Sequence, residues 1–169
     1  MPETLTLPTT TDRFALYSSL YPQVKALLED ERDPIAAMAN MIAALRETFQ
    51  WHWLGFYRVM GAELVLGPFQ GPVACMRIGH GKGVCGTAWA EERTLIVPDV
   101  DKFPGHIACS ALTRSEIVVP LLGRDDPAYR TGRRVHAVLD IDSVHENDFT
   151  EVDAQALARL LELLEPLFD

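Results

Sequence analysis

At Trp51 the spacing of apolar residues changes, and that change limits the architectures open to this chain more than any other feature. Before it, Phe14, Tyr17, Tyr21, Val24 and Leu28 recur at intervals of three and four, which places them on one face of a helix. Pro22 stands inside this stripe, and its missing N–H predicts a kink or a division into two short helices. A second helix is predicted from Asp33-Pro34, with Asp as N-cap and Pro at the first helical position. Its apolar face is Ile35, Met38, Ile42, Leu45 and Phe49. After Trp51 the period is two. Residues 52–59 are rich in aromatic and β-branched types, and residues 63–69 follow a short turn at Gly61, which reads as a hairpin. Alternation sets Trp53, Gly55 and Tyr57 on one side and Leu54 and Phe56 on the other, so the sheet is expected to be covered on both faces.

A long Gly-containing section follows, from residue 71 to about residue 114, with one short helix near 84–90 and a short strand near 94–97. Stretches of this length with little regular structure are usually functional loops. Two further strands, 115–122 and 135–142, flank a polar, basic loop at 123–134. Thr150 with Asp153 resembles a capping box and opens a helix through Leu157, Leu160, Leu161 and Leu164, which Pro166 is expected to end. Helices first, then hairpin strands, then a closing helix describe an α+β domain with helices packed on an antiparallel sheet. At 169 residues the chain suits one domain, read as 12–169 behind a flexible tail at 1–11.

The composition narrows the function. Fifteen Lys and Arg against 24 Asp and Glu give a net charge of −9, which argues against nucleic acid and against anionic membranes as partners. The N-terminus has neither a basic segment nor an apolar run of the secretory kind, so a cytoplasmic protein is expected. Three cysteines, Cys75, Cys85 and Cys109, all lie in the irregular section. An odd number without a leader is not a disulfide framework, and the plain reading of each is a small buried hydrophobe. His106 and Cys109 with the other two cysteines do not have the paired spacing of a zinc site. The run GHGKGVCGTA lacks the phosphate-loop spacing, and its glycines serve better as tight turns before a helix. Cys85 then falls in the first helical turn, where the dipole and nearby Lys82 would favour a thiolate.

Glu116, Asp140 and Asp142 sit within otherwise apolar strands. A carboxylate there can mark a strand end, a reading that suits Asp142 before Ser143. Otherwise neighbouring carboxyls in a pocket raise one another's pKa, leaving one protonated to act as an acid, and they attract a ligand ammonium. Trp53 and Tyr57 are either core aromatics or an apolar cage for a methyl or thioether group.

The segments LVLGPFQGPVACMRIGHGKGVCGTAWA, FPGHIACSALTRSEIVVPL and VLDIDSVHENDFTEVD, together with WLGFY at 53–57, closely resemble the free methionine-(R)-sulfoxide reductases, a single-domain branch of the GAF fold. The resemblance implies a GAF-like antiparallel sheet, with N- and C-terminal helices on one face and long active-site loops on the other. It implies reduction of free methionine-(R)-sulfoxide to methionine, with Cys109 as nucleophile, Cys75 and Cys85 recycling it, and thioredoxin as the reductant. It places substrate against Trp53, Tyr57, Glu116, Asp140 and Asp142. It implies a homodimer, and no metal or other cofactor. The competing expectation is a GAF module that binds a small ligand and signals without catalysis. The loop at 123–134 looks longer than the family's usual hairpin.

Overall fold

Two hydrophobic clusters lie on opposite faces of one six-stranded antiparallel sheet, of order β3-β2-β1-β6-β5-β4. The strands are β1 (Trp53–Met60), β2 (Glu63–Gln70), β3 (Arg77–Gly79), β4 (Leu95–Val97), β5 (Ser115–Asp125) and β6 (Arg133–Ser143). The helices are α1 (Arg13–Leu28), α2 (Pro34–Phe49), α3 (Gly83–Glu91) and α4 (Glu151–Leu161). This computed structural model describes residues 4–107 and 109–168. No helix among them is long and apolar enough to cross a membrane.

The sheet separates its two environments by residue parity. Leu54, Phe56, Ile117, Val119, Leu139 and Ile141 point toward α1, α2 and α4 and form the larger core. Trp53, Tyr57, Val118 and Val138 point the other way, toward α3 and the loops. The helices begin where side chains cap them. Asp12 accepts from the N–H groups of Phe14 and Ala15, and Asp33 from that of Ala36 at 2.8 Å. Asp153 accepts from the N–H of Thr150 at 2.8 Å, completing the predicted capping box of α4.

Several expectations need correction. Pro22 neither breaks nor divides α1, which runs unbroken for 16 residues. Pro22 and Ser18, whose carbonyl loses its ladder partner, both lie on the exposed side of the helix, while Leu16, Leu20, Val24 and Leu28 anchor both halves on the core. Phe14 and Ile35, placed on apolar faces by spacing, are exposed at 69% and 40%. α4 ends at Leu161, and Pro166 falls in a separate 3₁₀ turn, Glu165–Phe168. Residues 4–12 form no helix or strand, yet they are tied down. The Thr6 N–H donates to Gln23 Oε1 at 2.7 Å, Gln23 Nε2 donates back to the Thr6 carbonyl at 2.9 Å, and Leu5 and Leu7 pack on the core. The basic loop is shorter than it reads, because Asp125 still pairs with Arg133. Its tip docks on the end of α3, where Glu92 accepts from the Arg130 N–H at 2.8 Å and the Thr131 N–H at 2.5 Å.

Candidate active site

The three acids come together because of strand register. Glu116 on β5 is directly opposite Asp142 on β6, and Asp140 is opposite Val118 on β5 and Gly55 on β1. Trp53 is opposite Asp142 and Tyr57 opposite Val138, so the acids and the two aromatics form one continuous patch on the α3 side of the sheet. All five line a cavity of about 30 Å³, roofed by Cys85, His106, Ile107, Cys109 and the loop at Val73. The aromatic wall also fixes that roof. Trp53 Nε1 donates to the Pro72 carbonyl at 3.0 Å, and the Tyr57 hydroxyl donates to the Cys75 carbonyl at 2.9 Å. Trp53 stacks on Tyr57 and on Phe69, with ring centroids 5.9 Å and 5.5 Å apart. A side chain at Gly55 would reach within 2.4 Å of Phe69 Cβ and 2.7 Å of the Trp53 ring, so only glycine leaves room for this arrangement.

The glycine run does form turns at a helix start, as expected. Gly81 and Gly83 have φ of +72° and +58°, and a Cβ on Gly86 would come within 2.3 Å of the Gly79 carbonyl oxygen. This close approach seats α3 against β3, a three-residue strand that the sequence does not reveal, and directs Cys85 into the sheet.

Electrostatics separate the three thiols. The α3 dipole predicts a thiolate at Cys85. Instead it is fully buried, and burial first, then Asp140 and Glu116, push its pKa well up. Desolvation exceeds the fraction of a charge that a helix end supplies, so Cys85 is a neutral thiol. Cys75 is half-buried and Cys109 is exposed at the cavity mouth. The Cys109 pKa is pushed up to about 12 by partial burial and by its hydrogen bond with Cys75. The two thiols are thus in contact before any substrate binds, and neither Cys85 nor Cys109 rests as a thiolate.

The acids are shifted in the same direction. Burial first, then the neighbouring carboxyl, raises Glu116 (beside Asp142), Asp140 (beside Glu116) and Asp142 (beside Asp140) well above the usual range. Asp140 Oδ1 is buried with no hydrogen-bond partner. One donor atom each from Cys85, Glu116 and Asp140 lie within 4.8 Å of one another. Three such donors could surround a cation, but carboxyls and a thiol buried side by side without a counter-charge share protons first. His106, read from sequence only as a rejected zinc ligand, places Nε2 3.4 Å from Glu116 Oε2. Burial lowers its pKa from the ordinary histidine value. Its signal in the sequence was its position three residues before Cys109.

The comparisons with known proteins show the family and the fold. Residues 33–165 match the GAF domain family. The free methionine-R-sulfoxide reductase of Escherichia coli is 43% identical over 150 residues, covering 88% of this chain and 86% of that protein. GAF domain-containing protein A of Dictyostelium discoideum is 54% identical over 150 residues, covering 88% and 90%. The crystal structure of the free methionine-R-sulfoxide reductase of Neisseria meningitidis, solved with its substrate, superposes with a TM-score of 0.89 at 48% identity, covering 98% of this chain and 95% of that one. The fold, the extent of these matches and the identities place the chain in the GAF domain family and, within it, among the free methionine-R-sulfoxide reductases.

Proposed function

We propose that this protein reduces free methionine-(R)-sulfoxide to methionine, with Cys109 as nucleophile and the acid patch as the group that polarises the S–O bond. The observation that carries this reading is the placement of an exposed thiol, Cys109, at the mouth of a cavity floored by Glu116, Asp140 and Asp142. Sulfoxide sulfur becomes electrophilic when its oxygen is protonated, and buried carboxyls that retain a proton at neutral pH can supply it. Trp53 and Tyr57 offer an apolar wall to the S-methyl group, and a remaining carboxylate suits the ammonium of a free amino acid. A domain that only bound a ligand would have no need of two thiols in contact beside an acid.

The cycle uses those thiols in order. Cys109 takes the oxygen and becomes a sulfenic acid while methionine leaves. Cys75, already hydrogen-bonded to Cys109, then attacks Sγ, forming the disulfide and releasing water. Buried Cys85 is a second thiol that could exchange into this disulfide, and thioredoxin is the external dithiol that restores the thiols. The protein works in the cytoplasm as a homodimer on this reading.

Substrate scope is the test. The free R epimer, the free S epimer and N-acetyl-methionine sulfoxide amide are compared by kcat/KM with a dithiol reductant. Turnover of the free R compound alone is expected, because a carboxylate of the acid patch suits an ammonium that the capped compound lacks. Comparable rates for the capped compound contradict the reading.

A further inference from the structure

We infer that His106 carries the proton between Cys109 and Glu116 as the sulfoxide is reduced, an inference that rests on the activity and the nucleophile proposed above. Reduction moves two protons at once: the attacking thiol must lose one and the sulfoxide oxygen must gain one. Cys109 keeps its proton until attack, since its thiol is pushed up to about 12. Glu116 is buried on the floor of the cavity, so the proton it gives away must return through a neighbour. His106 is placed for that exchange. Its Nε2 is 3.4 Å from Glu116 Oε2, its side chain is 15% exposed, it lines the same cavity, and it lies three residues before Cys109 on one loop.

The surroundings keep the imidazole neutral, with one nitrogen free to accept and the other bearing a proton. Burial lowers its pKa, and the opposing effect comes from Asp101 in the 3₁₀ turn Val100–Lys102. Asp101 is itself engaged by Arg114, at 3.3 Å. Glu116 faces His106 from β5, with Asp140 and Asp142 behind it on β6, and Lys82 lines the cavity from the start of α3. Cys109 lines the same cavity from the same loop.

The step balances. Cys109 Sγ gives an electron pair to the sulfoxide sulfur while its proton passes to His106. Glu116 gives its proton to the sulfoxide oxygen and takes one back from His106. The new Sγ–S bond and the original S–O bond then break: one electron pair stays on the substrate sulfur, which is reduced, and the other becomes the bond from Sγ to the hydroxyl, so that Sγ is oxidised to the sulfenic acid. No net proton is consumed. Because His106 takes its proton from the attacking thiol and hands one to Glu116, it is a catalytic base and acid of the step, although it does not touch the substrate sulfur.

The test is first-turnover methionine formation by the intact protein, reduced beforehand and mixed with methionine-(R)-sulfoxide without added reductant. His106→Ala and His106→Gln should each slow this step by roughly 100-fold, with the sulfoxide concentration for half-maximal rate changed less than about threefold. Wild-type rates should be flat from about pH 7 to 9, whereas the variants should speed up about tenfold per pH unit, because only preformed thiolate can then attack. Added imidazole should restore part of the His106→Ala rate. Either variant retaining the wild-type rate within about twofold and the wild-type pH profile overturns the inference. So does a slowed variant with a flat profile and no response to imidazole. Should neither variant fold, the wild-type profile decides: its rate must fall as pH drops through the lowered histidine pKa, and a rate flat down to about pH 4 overturns the relay. Methionine formed by Cys109→Ser instead overturns the proposed nucleophile, whatever His106 does.

Discussion

Two carboxyl environments sit on opposite faces of one sheet, and they differ in what surrounds them. On the helical face, Asp153 is fully buried, but Arg13 Nη1 donates to it at 2.9 Å, the Tyr17 hydroxyl at 3.0 Å and the Thr150 N–H at 2.8 Å. Arg13 also pairs with Asp148 and lies over the rings of Trp51 and Phe149. On the other face, Glu116, Asp140 and Asp142 have one another, Cys85 and a histidine neutralised by burial; among the described residues no guanidinium lines their cavity, and its one ammonium, the exposed Lys82, forms no ion pair with them. A buried carboxylate supplied with a cation and donors is a structural joint. A buried cluster of acids without a paired cation lowers its cost by holding protons, which makes it a proton source. The same residue type therefore stabilises one face and serves chemistry on the other.

Substitutions should separate the two roles. The largest effect is expected from Cys109→Ser, which should abolish methionine formation and leave the melting temperature unchanged, since the side chain is exposed. Methionine yield and a thermal melt on the same preparation check both halves. Next, Asp140→Asn and Glu116→Gln should each lower kcat/KM by roughly 10²–10⁴ while leaving stability unchanged or raised. Steady-state kinetics within about twofold of wild type for both would remove the acid patch from the reaction. Asp153→Asn should do the reverse. Loss of charge-assisted bonds to Arg13 should cost about 2–3 kcal/mol in a denaturant melt, with kcat/KM of the folded fraction nearly unchanged.

The smallest effect concerns pH and sharpens the contrast further. The raised acids bind protons more tightly folded than unfolded, so their stabilising effect is full below the unfolded carboxyl pKa and is lost as pH rises toward the folded one. The acids' contribution to wild-type stability should therefore decline as pH rises above about 4, and Asp140→Asn should remove up to about 1.4 kcal/mol per pH unit of that decline. Unfolding titrations of the two proteins across this range give the difference directly. Parallel curves would mean that Asp140 is ionised in the fold.

Much of this contrast was legible in the sequence. Strand alternation puts Trp53 and Tyr57 on one side, and acids inside apolar strands mark Glu116 and Asp140 as unusual. Local capping signals at Asp33 and at Thr150 with Asp153 hold because they depend on neighbours a few residues away. What failed depends on distant groups. Pro22 is tolerated because the core holds both halves of α1, and a proline's cost cannot be read without knowing which face meets water. The dipole argument for Cys85 misses the Asp140 and Glu116 carboxyls that register brings beside it from β6 and β5. Strand β3 is three residues long and carries too little pattern to stand out. His106 joins the site because its loop folds back onto Glu116 of β5, a contact between segments that spacing along the chain does not show.

The central claim is that Cys109 takes the oxygen above the acid patch and passes the oxidation to the thiol beside it. It is tested by mixing fully reduced protein with excess methionine-(R)-sulfoxide, without reductant, then counting methionine and mapping the cysteines by mass spectrometry. The account predicts one methionine per chain, formed together with a disulfide joining Cys109 to Cys75. Methionine formed with Cys109 still reduced, or with no cross-link that includes Cys109, would contradict it.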